Sequence, residues 1–322
     1  MKIDKIPIVM SFDENYAMPA CVAVYSALRS KEEDTQYKFY FFVRSNMPDE
    51  VTVKFDKLIL QYPNTEFEFV IVGDRLDNAV INSYFSIETY FRLLIPELLP
   101  MLDKCLYLDV DVMLCTDLTS LWNIDIGNNL IAGVKEEKLD KKRFKTLELP
   151  TPDQYISAAV LIMNLKIIRD EKLTLRFLEL VTKGYKHVDQ DVLNIVCYNR
   201  ITFIPLKFNI PFDYVIVKNK LEKAYPLDDV EDALRNPVVI HYLIHLKPWK
   251  ISDDRVFLLN LWYRTALKSP YHYDHSKNML IGRKNKELIK IQDYRNTIEY
   301  KIGQIITFIP EILKKLIKQR SG

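Results

Sequence analysis

Residues 104–112 read Lys-Cys-Leu-Tyr-Leu-Asp-Val-Asp-Val, an apolar run that ends in two aspartates separated by one residue. The run 104–108 predicts a buried strand. Because residues two apart on a strand share a face, the carboxylates of Asp109 and Asp111 can aim at one spot at its carboxyl end, which is where ligands bind in open sheets. Two adjacent carboxylates repel unless a cation lies between them, and Mg²⁺ or Mn²⁺ suits such ligands. A solvated aspartate pair at a strand end is the alternative.

Outward from this stretch, short apolar runs alternate with segments of helical periodicity from Ile6 to about Leu165. That alternation is typical of an α/β fold in which helices cover a layer of strands. The predicted strands span residues 6–12, 38–43, 67–72, 104–108, 130–134 and 158–164. The predicted helices span residues 15–30, 49–60, 87–99, 172–182 and 190–197.

The composition of the 322-residue chain is that of a folded protein, with 48% hydrophobic and 27% charged residues, which excludes a largely disordered chain. The chain has only seven glycines and no GxGxxG or GxxxxGK[ST] motif, which argues against a glycine-rich phosphate loop. A net charge of +2 argues against nucleic acid as the main partner. We therefore expect a soluble chain of enzyme size with no nucleic-acid partner.

The cysteines and the hydrophobic runs indicate in which cellular compartment the protein is expected. Four cysteines stand singly in apolar surroundings with no CxxC pair, which predicts reduced thiols in a cytoplasmic protein. The N-terminal stretch lacks the continuous apolar region of a signal peptide. No window of eighteen apolar residues is present, so we expect no membrane-spanning helix.

We predict two domains, a catalytic domain at 1–250 and a helical extension at 251–322, because a polar stretch with interleaved aromatic residues begins there. Apolar residues recur at spacings of three and four over residues 300–317, which predicts an amphipathic helix. Residues 283–320 hold ten Lys/Arg and four Asp/Glu, a net charge of +6, so the rest of the chain carries −4. The basic tail is expected to lie on an anionic membrane surface. The alternative is a helix that packs on the catalytic domain or on another subunit.

Histidines offer a second kind of metal ligand. His241 ends an apolar run that reads as a strand, and His245 follows four residues later. A zinc pair needs further N or S ligands, which are not nearby. Taken alone, each of these histidines is expected to be structural, and the same holds for His272 and His275.

Six separated segments resemble, in order, the retaining glycosyltransferases of family 8, the group that contains bacterial lipopolysaccharide galactosyl- and glucosyltransferases. The resemblance implies a GT-A-type nucleotide-sugar-binding fold with a mostly parallel central sheet flanked by helices. The segments are IPIVMSFDENYAMPACVAVYSAL (6–28), SIETYFRLLIPELLP (86–100), DKCLYLDVDVMLCTDLTSLW (103–122), YISAAVLIMNLK (155–166), VDQDVLN (188–194) and HYLIHLKPW (241–249).

The resemblance implies a metal site and a donor site. Asp109 and Asp111 match the metal-binding pair and His241 the third ligand, a set that fits Mn²⁺ better than Mg²⁺. Asp189 and Gln190 match residues that face the donor sugar, with Gln190 near its anomeric carbon. The positions implied to bind the UDP-sugar are Ser11, Asp13, Asn15, Arg92, Asp109, Val110, Ser157, Ala158 and Lys247.

For several of these residues a purely structural role is the alternative to a role in the site. Arg92 taken alone reads as a surface helix residue. Asp189 and Asp191 can cap the helix that begins near Gln190, and for Asp191 we expect no more than that. Trp249 is expected to pack rather than to contact a ligand.

The chain departs from the family pattern at two places. Ser157-Ala158-Ala159 stands where the family usually has Asn-Ala-Gly, and serine offers one hydroxyl where asparagine offers an amide. Ile244 stands where the family has a glycine, and a β-branched side chain obstructs close approach of the backbone to phosphate. These changes affect donor choice or turnover.

The expected function is metal-dependent, retaining transfer of galactose or glucose from UDP to a glycan, glycolipid or glycoprotein acceptor at the cell surface. The enzyme is expected in the cytoplasm, on the inner face of the membrane through its tail. A non-catalytic UDP-sugar-binding protein is an alternative, motivated by the departures. A phosphatase with a DxD-type nucleophile segment is a weaker alternative, because Met113 and Leu114 follow where such enzymes carry small or hydroxyl residues.

Overall fold

The computed structural model describes the backbone of residues 5–82, 85–136, 141–151, 153–212, 221–222, 225–243, 247–250 and 257–272. The chain forms two compact units. The first contains Met1–Ala20, Lys31–Val110 and Asp117–Ile204. The second contains Cys21–Ser30, Asp111–Thr116 and the described residues from Pro205 onward.

A seven-stranded sheet organises the first unit. Its strands are β1 (Ile6–Ser11), β2 (Tyr37–Val43), β3 (Glu66–Ile71), β4 (Lys104–Leu108), β6 (Ile131–Lys135), β7 (Ile156–Asn164) and β8 (Ile201–Ile204), while β5 (Val112–Leu114) belongs to the second unit. The order is β3-β2-β1-β4-β7-β6-β8. Only β7 runs against its neighbours, so the sheet is mostly parallel.

Register brings the ends of β1 and β4 to the same edge of this sheet. Val9 of β1 pairs with Tyr107 of β4 in a parallel ladder. Continuing that register places Ser11 opposite Asp109. On the other side of β4, Leu108 pairs with Val160 of β7. The carboxyl end of β4 therefore lies inside the sheet and beside the carboxyl end of β1. Ligands bind at the carboxyl ends of strands in open α/β sheets.

Helices connect the strands of the first unit, as parallel pairing requires. The α-helices are α1 (Ala17–Ser30), α2 (Asp49–Gln61), α3 (Ile95–Leu98), α4 (Thr119–Trp122), α5 (Lys141–Thr146), α6 (Leu165–Asp170), α7 (Leu173–Leu180) and α8 (Val188–Val196), of which α1 begins in the first unit and continues in the second. The 3₁₀-helices are Glu14–Tyr16, Ile87–Leu94 and Val181–Lys183.

The core of the first unit contains a large mixed cluster of aliphatic and aromatic side chains and a second group of packed aromatic rings. Tyr107, Leu161 and Val192 belong to a large buried cluster that joins the central strands to α8. Phe41 and Phe55 lie in a separate aromatic group, with ring centroids 4.8 Å apart. Both sets are fully buried, and burial of this apolar surface is the main favourable term in folding.

The second unit contains a three-stranded sheet. Its strands are β5 (Val112–Leu114), β9 (Ile210–Pro211) and β10 (Val239–His241), in the order β5-β10-β9. Its other elements are the 3₁₀-helices Leu206–Phe208 and Pro248–Lys250 and the α-helices α9 (Leu227–Arg235) and α10 (Phe257–Lys268). In the antiparallel pair, His241 lies opposite Val112. The backbone N–H of Tyr242 donates to the carbonyl oxygen of Asp111 at 2.9 Å, which extends the ladder by one step.

The predicted α/β architecture with a mostly parallel sheet is confirmed, and each predicted strand occurs within two residues of its bounds. The helix predicted over residues 87–99 is wrong in type, because Ile87–Leu94 is a 3₁₀-helix and α3 occupies only four residues with Pro96 in its first turn. Several short elements were not predicted, β5 and β9 among them. The predicted tail helix lies outside the described residues. Among described helices, none is long and apolar enough to cross a membrane.

Gly133 supports the register of β7 at the point where its pairing with β6 shifts. A Cβ atom at this position would lie 2.6 Å from Cδ1 of Ile156 and 3.1 Å from the backbone oxygen of Ser157. We predict that Gly133→Ala lowers the free energy of unfolding, measured by chemical denaturation, by about 1–3 kcal/mol through overpacking.

Ile156→Val supplies the matched test of this contact, because it removes Cδ1. The double variant Gly133→Ala/Ile156→Val should lose less stability than the two single losses together. Strict additivity of the two losses would contradict the assignment of the clash to Cδ1 of Ile156.

Candidate active site

The carboxyl end of β4 is fixed by hydrogen bonds on both the backbone and the side chain of Asp109. The backbone N–H of Asp109 donates to the carbonyl oxygen of Ala159 at 2.8 Å. Its Oδ1 accepts a hydrogen bond from the Tyr107 hydroxyl at 3.1 Å. Tyr107 and Asp109 are two residues apart, so their side chains lie on one face as the strand predicts.

A buried guanidinium connects Asp109 to two other segments. Arg92 is 3% exposed. Its Nη2 donates to Oδ1 of Asp109 at 2.7 Å, and its Nε forms an ion pair with Oδ2 of Asp189 at 3.0 Å. Its Nη1 donates to the backbone oxygen of Ala158 at 2.6 Å. The guanidinium carbon lies 4.1 Å from the centroid of the Tyr107 ring, in cation–π geometry. The surface alternative for Arg92 is therefore wrong.

The 3₁₀-helix explains how Arg92 reaches these partners. With three residues per turn, positions i and i+3 are eclipsed, so Thr89 stands one turn before Arg92. The Nε of Arg92 donates to the Thr89 carbonyl oxygen at 3.0 Å, and the Thr89 hydroxyl donates to Oδ1 of Asp189 at 2.7 Å. An α-helix, with 3.6 residues per turn, would instead offset these two side chains by about 60° around the helix axis.

Asp189 is a buried carboxylate with one dominant counterion. It is 3% exposed. Burial raises the pKa of Asp189 to about 6, although the Arg92 charge and the Thr89 hydrogen bond oppose the rise. The helix-cap alternative does not describe this side chain, since its carboxylate pairs with the side chains of the 3₁₀-helix.

Gln190 is the next residue of α8 and faces β7. Its Oε1 accepts the backbone N–H of Ala158 at 3.0 Å. Its Nε2 donates to the Tyr155 hydroxyl at 3.2 Å and to Oε2 of Glu136 at 3.3 Å. Ala158 therefore contacts both predicted site residues through its backbone, with its carbonyl on Arg92 and its N–H on Gln190.

Asp191 does more than cap a helix, which corrects the expectation from the sequence. Its Oδ2 accepts the backbone N–H of His187 at 2.8 Å, a capping contact. Its Oδ1 accepts the Tyr155 hydroxyl at 2.5 Å and Nη2 of Arg143 at 2.8 Å. The residue is fully buried. The short α5 segment carries Arg143, and its charged sequence gave no signal of a buried partner.

The residues after β1 form their own small cluster. Oδ1 of Asp13 accepts the backbone N–H of Tyr16 at 3.0 Å and caps the 3₁₀-helix Glu14–Tyr16. Its Oδ2 accepts Nδ2 of Asn15 at 3.0 Å. Ser11 is buried at the end of β1. The register of β1 and β4 places Ser11 at the same edge of the sheet as Asp109.

In the second unit, Asp111 lies beside two nitrogen groups. Nε2 of His241 is 3.3 Å from Oδ1 of Asp111. Nζ of Lys247 donates to Oδ2 of Asp111 and, at 2.7 Å, to the carbonyl oxygen of Tyr242. Burial opposes ionisation of Asp111, but the Lys247 ammonium and the His241 imidazole outweigh it and hold the pKa of the carboxyl well below its usual range. This carboxylate is ionised at any physiological pH.

One atom of Asp111 is left over by these contacts. Its Oδ1 is buried and accepts no hydrogen bond from the residues that the structure describes. A buried acceptor without a donor is costly unless another group, such as a cation, occupies it. Asp109, Asp111 and His241 offer two carboxylates and an imidazole. Two peptide units join the aspartates, so covalent geometry keeps their Cα atoms within about 7 Å. The donor set fits a divalent cation of the Mn²⁺ type.

Comparison with known proteins decides the family. A model of Glycosyl transferase family 8 matches residues 7–252 of the chain. The chain belongs to glycosyltransferase family 8. The family predicted from the six sequence segments is confirmed.

The relatives of this family 8 glycosyltransferase act in several bacteria. The lipopolysaccharide 1,3-galactosyltransferase of Salmonella typhimurium is 26% identical over 261 residues, which cover 76% of this chain and 73% of the relative. The lipopolysaccharide 1,2-glucosyltransferase of Escherichia coli K12 is 30% identical over 212 residues, or 64% and 61% of the two chains. The crystal structure of galactosyltransferase LgtC with donor and acceptor sugar analogues has a TM-score of 0.69, 25% identity, and coverage of 82% and 96%. The predicted GT-A-type fold is confirmed.

The two departures from the family pattern fall differently in the structure. Ser157 is half-buried at the start of β7, next to Ala158, and Ala159 is buried with its carbonyl on Asp109. Ile244 lies outside the described residues.

Val110 is buried between the two aspartates. Trp249 packs against Trp262, with ring centroids 5.7 Å apart, as expected from the sequence.

Removal of the Arg92 charge should be strongly destabilising. We predict that Arg92→Met lowers the free energy of unfolding by about 3–5 kcal/mol, because Asp189 is left as an unpaired buried carboxylate. Arg176 of α7 is the matched control, since its pair with Glu179 is more than half exposed. Arg176→Met should change stability by no more than about 0.5 kcal/mol. Equal losses in the two variants, measured by urea denaturation, would refute this role for Arg92.

His187 should make the protein sensitive to acid. Burial lowers the pKa of His187 to about 4, with the Arg143 charge adding to the effect. Between about pH 6.5 and 4 the unfolded chain therefore binds a proton that the native chain does not. The free energy of unfolding decreases as the pH is lowered through this window. Because solvent partly screens the ring, we expect the wild type to lose about 1 kcal/mol more than His187→Gln between pH 7.5 and 5. Superimposable pH profiles of urea denaturation would contradict this.

Proposed function

We propose that the chain is a metal-dependent, retaining hexosyltransferase that moves galactose or glucose from a UDP-sugar to a glycan or glycoconjugate. The observation that carries the proposal is the buried Oδ1 of Asp111, two residues after Asp109, which accepts no hydrogen bond among the described residues and lies 3.3 Å from Nε2 of His241. Family membership supports the reaction class, and the position at a strand end in an open α/β sheet supports a nucleotide ligand.

Asp109, Asp111 and His241 would hold the ion, with Mn²⁺ favoured over Mg²⁺ because imidazole prefers the softer ion. When bound, the ion supplies Lewis-acid stabilisation of the charge that develops on the diphosphate. Lys247 provides a positive charge on the Asp111 side of this site and would pair with the same diphosphate. Both kinds of charge act on the leaving group, where negative charge develops during transfer.

Arg92 would act by holding carboxylates in place. Asp189 accepts from Arg92 and Thr89, which fixes its oxygens for contact with sugar hydroxyls. Ser11, Asp13 and Asn15 would bind the uridine, since Ser11 ends β1 and the other two follow it at the same sheet edge. Ser157 and Ala158 would line the donor beside Gln190.

The carboxylates near Gln190 favour direct attack by the acceptor on the donor-sugar face from which UDP leaves. Double displacement needs a free carboxylate nucleophile close to the anomeric carbon. Asp189 is engaged by Arg92 and Thr89. Asp191 is buried and holds three hydrogen bonds, and Glu136 accepts from the amide of Gln190. Gln190 is a poor nucleophile. A covalent hexosyl-enzyme adduct detected by intact mass would contradict direct attack.

The acceptor class follows from the relatives. The Salmonella and Escherichia coli relatives are lipopolysaccharide galactosyl- and glucosyltransferases, and we extend a cell-surface glycan or glycolipid acceptor to this chain. The proposed domains are a catalytic domain at 1–250 and an extension at 251–322. Its basic tail would bring a cytoplasmic enzyme to the inner face of the membrane, where lipid-linked acceptors lie.

The first test is UDP release from a panel of UDP-sugars without acceptor, with and without Mn²⁺. We predict slow hydrolysis of UDP-galactose or UDP-glucose that requires the metal. Asp111→Asn should slow it at least about 100-fold, because several kcal/mol of stabilisation on the leaving group are lost. Asp170→Asn is the control, since that carboxylate is exposed on α6, and its rate should match the wild type.

The outcomes separate the alternatives. UDP binding without consumption of any UDP-sugar, with or without a glycan acceptor, would favour the non-catalytic binder, and Ser157→Asn would be the first reversion. Absence of UDP binding would overturn the transferase proposal.

A further inference from the structure

The carboxamide of Gln190 has a single orientation that satisfies its neighbours. Its oxygen must face the backbone N–H of Ala158, which is a donor only, and its amide group must face the Glu136 carboxylate, which is an acceptor when ionised. A flipped amide would set donor against donor at 3.0 Å and acceptor against acceptor at 3.3 Å. Both amide hydrogens are used by Glu136 and Tyr155, so the second lone pair of Oε1 is the polar capacity left for a ligand.

The Tyr155 hydroxyl helps to fix this orientation of the Gln190 carboxamide. Its oxygen accepts the amide N–H of Gln190 at 3.2 Å, accepts Nη2 of Arg143, and donates its own proton to Oδ1 of Asp191 at 2.5 Å. One donor and two acceptor sites are the full capacity of a hydroxyl. Every bond of this group is therefore specified.

The direction of the tyrosine proton follows from the chemistry of its neighbours. Arg143 is only a donor, and an ionised Asp191 is only an acceptor. The proton of Tyr155 must therefore point to Asp191, which leaves its lone pairs for Arg143 and Gln190. Burial raises the pKa of Tyr155 well above its usual value, so the hydroxyl keeps its proton.

The assembly is also rigid. Tyr155 and Asp191 are each no more than 1% exposed. The guanidinium carbon of Arg143 lies 4.8 Å from the Tyr155 ring centroid, which holds the ring as well as the hydroxyl. Buried, fully satisfied polar networks of this kind specify one arrangement of their members.

We propose that Tyr155 is a positioning residue for hexose transfer, which aims the carbonyl oxygen of Gln190 at the donor sugar, with Arg143 and Asp191 fixing the hydroxyl of Tyr155. This inference rests on the proposed function, in which Gln190 lies near the anomeric carbon. A fixed carbonyl dipole stabilises the positive charge that develops on the sugar in the transition state. Tyr155 itself touches no reacting atom.

Tyr155→Phe removes the hydroxyl and keeps the ring on Arg143. Because the lost interaction acts in the transition state, kcat for UDP release from the accepted UDP-hexose should fall about 10- to 100-fold while KM changes less than about threefold. Tyr37→Phe is the matched control. Tyr37 is equally buried, and its hydroxyl donates to Asp117 and accepts the backbone N–H of Leu118. The control should lose stability without a change in kcat.

A double-mutant cycle distinguishes positioning from general support. If Tyr155 acts through Gln190, the double variant Tyr155→Phe/Gln190→Ala should be no slower than Gln190→Ala alone. If the fold-losses in kcat of the two single variants multiply in the double variant, the proposal is overturned. An unchanged kcat for Tyr155→Phe in an active enzyme would overturn it as well.

Side-chain amide signals of ¹⁵N-glutamine-labelled protein test the same contact without turnover. The Gln190 signal, assigned by its loss in Gln190→Ala, should shift in Tyr155→Phe and stay in place in Tyr37→Phe. A stationary signal would overturn the positioning role even if the enzyme transfers hexose. Failure of the wild type to bind any UDP-sugar would instead overturn the proposed function, and the inference with it.

Discussion

The guanidinium of Arg92 is the group on which the arrangement at the end of β4 depends. It pairs with Asp109 after β4 and with Asp189 on α8, and it donates to the backbone of Ala158 on β7. Removal of a charge from water costs several kcal/mol, and only good geometry with further hydrogen bonds compensates for it. Here three segments that are far apart in the chain supply that compensation. Each of them carries a residue expected to contact the donor.

The two aspartates of the Asp-Val-Asp segment have different partners although one residue separates them. Asp109 accepts from Arg92 and Tyr107 in the first unit. Asp111 is held by Lys247 and lies beside His241 in the second. Asp111 is therefore kept ionised by neighbouring protein cations before any metal is bound. This is the condition that metal ligands require, since a protonated carboxyl is a poor ligand.

Much of the fold was predictable because apolar runs with clear periodicity mark the strands. The run before Asp109 located β4 within a residue, and the Asp-Val-Asp spacing indicated a candidate metal site. His241 was expected as a ligand only through the family resemblance. Its place beside Asp111 depends on the pairing of β10 with β5, a three-residue strand too short to produce a periodic signal.

Other parts of the candidate site had no local signal. Arg92 lies in a 3₁₀-helix where an α-helix was expected, and its buried partners Asp109 and Asp189 are distant in the chain. Arg143 and Asp191 are 48 residues apart, and their sequence surroundings are those of an exposed helix and a helix cap. Such long-range pairs follow from topology, which a single sequence specifies only weakly.

The most direct test of the central claim is a titration of Mn²⁺ into the full-length protein with UDP present, in which electron paramagnetic resonance measures the free ion. We predict one bound ion per chain, with affinity reduced by at least about 10-fold in His241→Gln because a ligand is lost. Saturating UDP binding with no bound Mn²⁺, or equal affinity in the variant, would contradict a metal site built from Asp109, Asp111 and His241.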